Sequence, residues 1–263
     1  MPPPEELDRI CVVLVRARNP NNIGAAARAM HNFGLRHLRV VNDYPVPFES
    51  ARSAIDANEV LANTVIHATL AEAVADCTLV VGTTAVGERD LQHPLHVLAS
   101  AAPRMQEELR RGAGRVALLF GSEKTGLSNE ELSHCNWLLT IPMQMHEGVR
   151  HASMNLGQAV AVCLYELVRD QQEQTQTVGL PQKTMSESAC STTKESATAA
   201  ELERLTTLLY ETLERSGYLR RHPAHCDPEH LRRLLRRMVC DAGDAAIWTG
   251  IFRQLLWKLR RFS

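Results

Sequence analysis

The stretch from Arg115 to Leu167 constrains the fold more than any other part of the chain. Arg115-Val-Ala-Leu-Leu-Phe120 is a short apolar run rich in strand formers. It stops at Gly121-Ser-Glu-Lys-Thr-Gly-Leu-Ser128, whose two glycines permit positive φ. Trp137-Leu-Leu-Thr-Ile141 is a second apolar strand, closed by Pro142, and after a polar loop Ser153-Met-Asn-Leu-Gly-Gln-Ala-Val160 opens a helical pattern that runs through Leu167. A buried strand that ends in a glycine turn is where open α/β sheets place ligands. Ser153 is expected to cap the helix, its hydroxyl accepting from backbone N–H groups two or three residues on.

The preceding chain has the same grammar. Ile10 to Val15 is apolar on both faces, as a central parallel strand would be. The Asn/Pro/Gly cluster from Asn19 to Gly24 reads as loop, the alanines that follow as helix, Gly34 as its C-cap and Leu38 to Val41 as the next strand, which makes one βαβ unit. The small residues from Gly24 to Ala27 let this helix approach another backbone closely. Ala51 to Leu61 reads as mostly helical, and Cys77 to Ala85 as a further strand ending at a glycine turn. The polar stretch from Val86 to Pro94 is expected to border a cleft. The loop from Gly121 to Gly126 lacks the glycine-lysine-serine/threonine ending of a phosphate cradle, and there is no dinucleotide fingerprint, which weighs against a nucleotide-dependent oxidoreductase. Glu123 reads as a structural carboxylate accepting from nearby loop amides. His93 and His96 have no third partner in view, so no metal site is expected.

Gln171 to Ala200 is built largely of Gln, Ser and Thr and reads as a flexible linker. The expected organisation is therefore a domain over 1–170, a linker over 171–200 and a basic helical domain over 201–263. In the last of these, Leu202, Leu205, Leu208, Leu209 and Leu213 mark one helix face. Leu231, Leu234, Leu235 and Met238 mark a second, with Arg232, Arg233, Arg236 and Arg237 on its other side, and a third helix runs from Asp244 through Leu259. From Arg215 to Ser263 there are 11 Lys/Arg against 4 Asp/Glu, a local +7 inside a chain of net charge -1. Such a segment suits a partner with phosphates, and equally a solvated helix face. Seven cysteines without close paired spacing read as small buried hydrophobes in a reducing compartment. The N-terminus has neither a basic nor an apolar region and no apolar run approaches membrane-spanning length, so a cytoplasmic protein is expected.

Phe120-Gly-Ser-Glu-Lys-Thr-Gly-Leu127, Ile141-Pro142 and Ser153 to Val160 resemble the second and third motifs of the SPOUT class of RNA ribose 2'-O-methyltransferases, and Asn22, Gly24 and Arg28 resemble its first. The resemblance covers nearly the whole chain outside the linker. It implies an α/β fold: a SPOUT-type parallel sheet flanked by helices, with a C-terminal trefoil knot, followed by a small all-α C-terminal domain. It also implies S-adenosylmethionine held by Thr83, Thr84, Ala85, Gly121, Ile141, Ala152, Ser153 and Met154, and a reaction centre at Arg28, Ser153 and Asn22, without metal. Arginine normally keeps its proton, so Arg28 is favoured as a cation that orients a phosphate and stabilises a developing alkoxide, with base catalysis left open. Ser153 could cap the helix, contact the target nucleotide, or do both.

The chain departs from the class between Met143 and Ala152, a loop several residues longer than expected that brings His146, Arg150 and His151 toward the reacting centre. Ala152 and Met154 stand where serine and leucine are usual. The order Leu-Glu-Arg, Gly-Tyr-Leu, His-Pro and Leu-Arg-Arg in the tail is similar to the C-terminal extension of the TrmJ-type branch. That implies methylation of cytidine or uridine 32 in the tRNA anticodon stem-loop by a homodimer packed through its knotted domains. An rRNA 2'-O-methyltransferase and a catalytically inactive knotted RNA-binding protein remain the alternatives.

Overall fold

The computed structural model describes residues 3–42, 57–85, 91–144, 153–169, 195–225 and 227–261. The elements are α1 (Pro4–Leu7), β1 (Ile10–Val15), α2 (Pro20–Asn32), β2 (His37–Val41), α3 (Asn58–Ala62), β3 (Val65–His67), α4 (Leu70–Ala73), β4 (Cys77–Thr83) and β5 (Leu95–Val97). They continue with α5 (Leu98–Arg111), β6 (Arg115–Phe120), α6 (Asn129–Ser133), β7 (Trp137–Thr140) and α7 (Leu156–Val168), and then α8 (Ala199–Arg215), α9 (Tyr218–Arg221), α10 (Pro228–Arg237) and α11 (Ala242–Leu259). The seven strands form one sheet in the order β3-β2-β1-β6-β4-β7-β5, and every pairing is parallel. Two strands are inserted between earlier ones: β6 enters between β1 and β4, and β7 between β4 and β5.

The central strands are apolar on both faces because both faces are covered. All six residues of β1 are buried, and its side chains divide between the two layers, with Ile10, Val12 and Leu14 in one and Val13 and Val15 in the other. Each such Val, Leu or Ile contributes about 1.5–3 kcal/mol by leaving water. Helices α2, α5 and α7 cover the first layer. Gly157 of α7 lies so close to α2 that a Cβ there would stand 2.5 Å from the Cβ of Ala25, the close approach that the small residues of α2 suggest.

Two helix starts differ from the reading of the sequence. Residues 20–24 are not loop: Asn19 caps α2, its side chain accepting from the Asn21 N–H at 3.0 Å, and Pro20 occupies the first turn, where no amide donor is needed. Helix α7 is capped by Asn155, not Ser153, through a 2.9 Å bond from the Gly157 N–H. Gly34 closes α2 at φ +76°. The helix expected from Ala51 lies largely outside the described residues, which resume at 57.

At the N-terminal edge of the sheet, Asp76 receives both terminal nitrogens of Arg39, at 2.5 and 2.8 Å, and pairs with Arg115 at 3.3 Å. The same two guanidinium groups each touch a buried sulfur, Arg39 at 3.8 Å from Cys77 Sγ and Arg115 at 3.7 Å from Cys11 Sγ. The neighbouring Cys77 thiol draws the Cys11 thiol down to about 6 against its burial, helped by Arg39 and Arg115. The Cys77 thiol, whose Sγ lies 3.6 Å from Asp76 Oδ1, is pushed up by Cys11 and by burial.

The C-terminal helices pack on one another through Leu202, Leu205, Leu235 and Ala245, and on the sheet through Ala199, while the Ala200 N–H donates to the Ala75 carbonyl at 3.1 Å. Helix α10 is rotated relative to the expected amphipathic face. Leu231, Leu235, Arg233 and Arg236 are buried, whereas Leu234 and Met238 are exposed. Its arginines are paired both across to neighbouring elements and within the helix. Arg232 forks onto Glu203 of α8 at 2.8 and 2.9 Å and donates to Ser133 Oγ of α6 at 2.7 Å, while Arg233 pairs with Asp227 and Glu229 at 3.5 Å. Much of the basic cluster is thus internal rather than a free cationic face. Among the described residues no helix is long and apolar enough to cross a membrane, and no group of three or more His, Cys, Asp or Glu is arranged to hold a metal ion.

Candidate active site

The C-terminal ends of β4, β6 and β7 lie side by side, and their first loop residues bind them together. Thr83 Oγ1 donates to the Leu119 carbonyl of β6 at 2.8 Å, and the Thr84 N–H donates to the Leu139 carbonyl of β7 at 2.9 Å. Ala85 follows, exposed, and Ile141 leaves β7 half-buried. The glycine loop folds back on itself after β6. The Gly126 N–H donates to the Ser122 carbonyl at 2.8 Å, Gly126 adopts φ +66°, and a Cβ on Gly121 would overlap the backbone of Gly126 and Leu127. Both glycines are therefore required by the turn, one for its backbone angle and one for space.

Three segments far apart in sequence are tied at this edge by one run of hydrogen bonds. The Glu123 carboxylate accepts from the backbone N–H groups of Arg18 and Asn19, at 3.2 and 3.3 Å, and from Asn22 Nδ2 at 3.0 Å. Asn155 Nδ2 donates to Asn22 Oδ1 at 2.9 Å, and the Gly157 N–H donates to Asn155 Oδ1. A carboxylate only accepts, so Glu123 fixes which end of the Asn22 amide faces it, and that choice fixes Asn155 in turn. Burial pushes the Glu123 carboxyl up, but hydrogen bonds from Asn22, Arg18 and Asn19 more than offset it and hold the group below the usual glutamate range.

Arg16 holds the same loop from its other side. It leaves β1 at φ +55°, a left-handed conformation that costs a non-glycine residue about 1–2 kcal/mol. Its guanidinium forks onto Glu131 at 2.6 and 2.9 Å and donates to the Gly126 carbonyl at 3.2 Å. Glu131 also closes the capping box of α6, accepting from the Ser128 N–H at 2.6 Å.

The structure joins Asn22 to the third motif directly and places Thr83, Thr84, Ala85, Gly121 and Ile141 on adjacent strand ends. Ser153 is exposed and Met154 half-buried just before α7. Arg28 is exposed on α2, about one turn beyond Ala25, and makes no hydrogen bond or ion pair among the described residues. Arg18 and Lys124 are exposed at the same edge with no side-chain partner among the described residues. Ala152 lies outside the described residues, as do His146, Arg150 and His151. Sequence reasoning passed over Arg16, and it gave Asn155 no part in the site although the residue sits inside the third motif. A polar side chain two residues before a helical glycine is the signal that could have marked Asn155 as the cap.

A parallel α/β sheet in which the described segments after β1, β6 and β7 are joined in this way has the layout expected of a SPOUT-class methyltransferase. The chain matches the SpoU rRNA Methylase family over residues 9–165 and belongs to that family. It is 36% identical to the tRNA (cytidine/uridine/adenosine-2'-O-)-methyltransferase TrmJ of Pseudomonas aeruginosa (strain UCBPP-PA14) over 262 residues, covering 98% of this chain and 96% of the relative. It is 33% identical to the tRNA (cytidine/uridine-2'-O-)-methyltransferase TrmJ of Pectobacterium atrosepticum, with 93% and 95% covered. The crystal structure of TrmJ from Z. mobilis ZM4 superposes with a TM-score of 0.73 at 30% identity, over 93% of this chain and 98% of that one.

Proposed function

We propose that this chain is an S-adenosylmethionine-dependent tRNA ribose 2'-O-methyltransferase that modifies cytidine or uridine 32 of the anticodon loop. The observation that carries the reading is the Glu123–Asn22–Asn155 run, which brings the three class motifs to one edge in a chain similar over its whole length to tRNA 2'-O-methyltransferases.

The edge fits the cofactor. It offers strand-end amides and small side chains at Ala85 and Gly121, and at Gly126 a Cβ would meet nothing within 4 Å, so the loop is open on that side. Thr83, Thr84, Ala85, Gly121, Ile141, Ala152, Ser153 and Met154 would hold it, with Thr83 Oγ1 free only to accept because it already donates to Leu119. S-adenosylmethionine supplies an electrophilic methyl group on a sulfonium, an activated leaving group that needs no metal. The ribose hydroxyl must lose or share its proton as the bond forms. Arg28, with Asn22 and Ser153 beside the site, orients the adjoining phosphate and stabilises the developing alkoxide as a fixed cation.

The insertion of β6 and β7 between earlier strands supports a trefoil knot in the segment that ends with α7. The reading includes a homodimer packed through the knotted domains, a methyltransferase domain over 1–170, a helical domain that starts earlier than the expected residue 201, since Thr198 caps α8 and Ala197 and Ala199 are buried, and a cytoplasmic location. Phosphate contacts from the tail then fall to exposed cations that are not engaged by Glu211 or Trp257, namely Arg220, Arg221, Arg237, Arg253 and Lys258.

The test is transfer of labelled methyl from S-adenosylmethionine to unmodified bulk tRNA, with the labelled nucleotide mapped. Incorporation as a 2'-O-methyl at position 32, reduced about 100-fold or more in Arg28→Ala, is expected. Incorporation into ribosomal RNA alone, or none at all despite cofactor binding, overturns the reading.

A further inference from the structure

We infer that Arg16 is a positioning residue for the cofactor loop, acting through Gly126 and Glu131 and setting the affinity for S-adenosylmethionine without touching it. The inference rests on the methyltransferase reading above and goes beyond it, since Arg16 lies outside the three class motifs.

The argument begins with what one guanidinium spans. Arg16 Nη2 reaches the Gly126 carbonyl at 3.2 Å and Glu131 Oε2 at 2.9 Å, while Nε reaches Glu131 Oε1 at 2.6 Å. Gly126 is the last residue of the glycine turn and Glu131 lies in α6, so Arg16 grips the chain on both sides of Leu127, which is itself 2% exposed. The turn needs such a grip. Within the turn the Gly126 N–H donates to the Ser122 carbonyl, the Lys124 N–H donates to Ser122 Oγ at 3.3 Å and Ser122 Oγ lies 3.4 Å from Thr125 Oγ1, but none of these bonds holds the Gly126 carbonyl, and glycine rotates in ways no other residue does. Fixing the Gly126 carbonyl fixes the peptide plane that sets the left-handed angle of the turn.

The other contacts of Glu131 make the grip rigid. Its carboxylate also accepts from the Ser128 N–H, and its side chain is only 9% exposed, so it cannot swing out to water without uncapping α6. Arg16 is presented to it by a backbone that is itself over-determined, because the Arg16 N–H donates to the Val41 carbonyl at 2.8 Å while φ stands at +55°. A non-glycine residue persists in that region only when its surroundings hold it there, and strain of this kind gathers at sites whose geometry matters. A fork onto a carboxylate plus a third donor to a carbonyl is a task for arginine. Lysine presents a point charge and cannot reproduce the planar fork. On the opposite flank of the same loop, Glu123 is held by the segment that follows Arg16. The loop is thus held at Glu123 and at Gly126 by two parts of one short stretch, residues 16–22, and a cofactor seated against it meets a surface already in its bound shape.

The full-length protein is compared with Arg16→Gln, Arg16→Lys and Arg16→Gly by equilibrium binding of S-adenosylmethionine without RNA, and by steady-state methyl transfer to tRNA. Arg16→Gly relieves the backbone strain while removing the clamp, so it separates the two. The Kd and KM for S-adenosylmethionine are expected to rise about tenfold in Arg16→Gln and Arg16→Gly and less in Arg16→Lys, with kcat at saturating cofactor within about twofold of the parent. Arg16→Gly is expected to lose less thermal stability than Arg16→Gln, since both leave the Glu131 carboxylate without its guanidinium and only the glycine relieves the left-handed φ. A parallel fall in kcat and melting temperature with Kd unchanged would identify a merely structural role and overturn the inference. If the parent protein binds the cofactor but methylates no tRNA, the functional reading fails while the Kd series still decides the clamp.

Discussion

Asn155 donates to Asn22 across 2.9 Å, joining the residue that caps α7 to the first turn of α2, 133 positions earlier. One amide therefore has two duties. Its oxygen takes the Gly157 N–H and starts a helix, while its nitrogen holds the first motif against the third.

These duties can be separated by substitution. Asn155→Asp keeps the capping oxygen but turns a donor toward Asn22 into a second acceptor, and Asn22 cannot flip to meet it without losing Glu123. The thermal midpoint is expected to stay within about 2 °C, and methyl transfer to fall tenfold or more. Asn155→Ala loses the cap as well, at about 1 kcal/mol of stability. Differential scanning calorimetry beside the transfer assay checks both, and equal activity in Asn155→Asp and the parent would refute the coupling.

Arg236 is 3% exposed, and its side chain donates to the Ala199 carbonyl at 3.4 Å while its Nε has no partner among the described residues. Burial lowers its pKa to about 10, against the pull of Glu203 and Cys135. Arg236→Met is expected to leave the chemical-denaturation midpoint unchanged or raise it, since an incompletely paired buried charge replaced by an apolar chain of similar volume is often neutral to stabilising, by about 1–4 kcal/mol. The salt dependence of tRNA binding is expected not to change, whereas Arg237→Ala lowers it by about one released counterion. A loss of RNA affinity in Arg236→Met measured by filter binding would contradict this placement.

The sulfur pair sets a pH dependence whose sign follows from direction alone. The Cys11 pKa is depressed in the folded protein to about 6 from 9.0, so between those values the unfolded chain holds the proton that the native state has released. Stability from this group is present above the unfolded pKa and lost as pH falls through about 6. The raised Cys77 acts only above the unfolded value, where it opposes. Urea midpoints of the parent are expected to rise from pH 6 to pH 8.5 relative to those of Cys11→Ala. Parallel curves for the two proteins would mean that Cys11 stays protonated in the folded state.

The legible parts of the fold are those that local chemistry decides. Ile10–Val15 and Arg115–Phe120 are continuous apolar runs, and the structure makes them strands with those bounds. Residues 20–24 were misread because asparagine and proline serve loops and helix starts alike, and only the Asn19 cap tells the two apart. The class motifs located the strand ends of the site, but not the bonds between them. Nothing within a few residues of Asn22 announces Glu123 or Asn155. Helix α10 shows the same limit. Its leucine spacing predicts one buried face, whereas contacts from other elements, Glu203 and Ser133 on Arg232 and the Ala199 carbonyl on Arg236, go with a face that buries Arg233 and Arg236 instead.

The strand order also governs when the protein can exist during its own synthesis. Strand β4 pairs only with β6 and β7, both made after it, so a nascent chain that ends near residue 110 carries β4 with neither partner. The helix that bears Asn155 emerges later still. The edge made by the ends of β4, β6 and β7 therefore cannot be complete until β7 and the Asn155 cap have left the ribosome, so the site is among the last parts of the domain to become available.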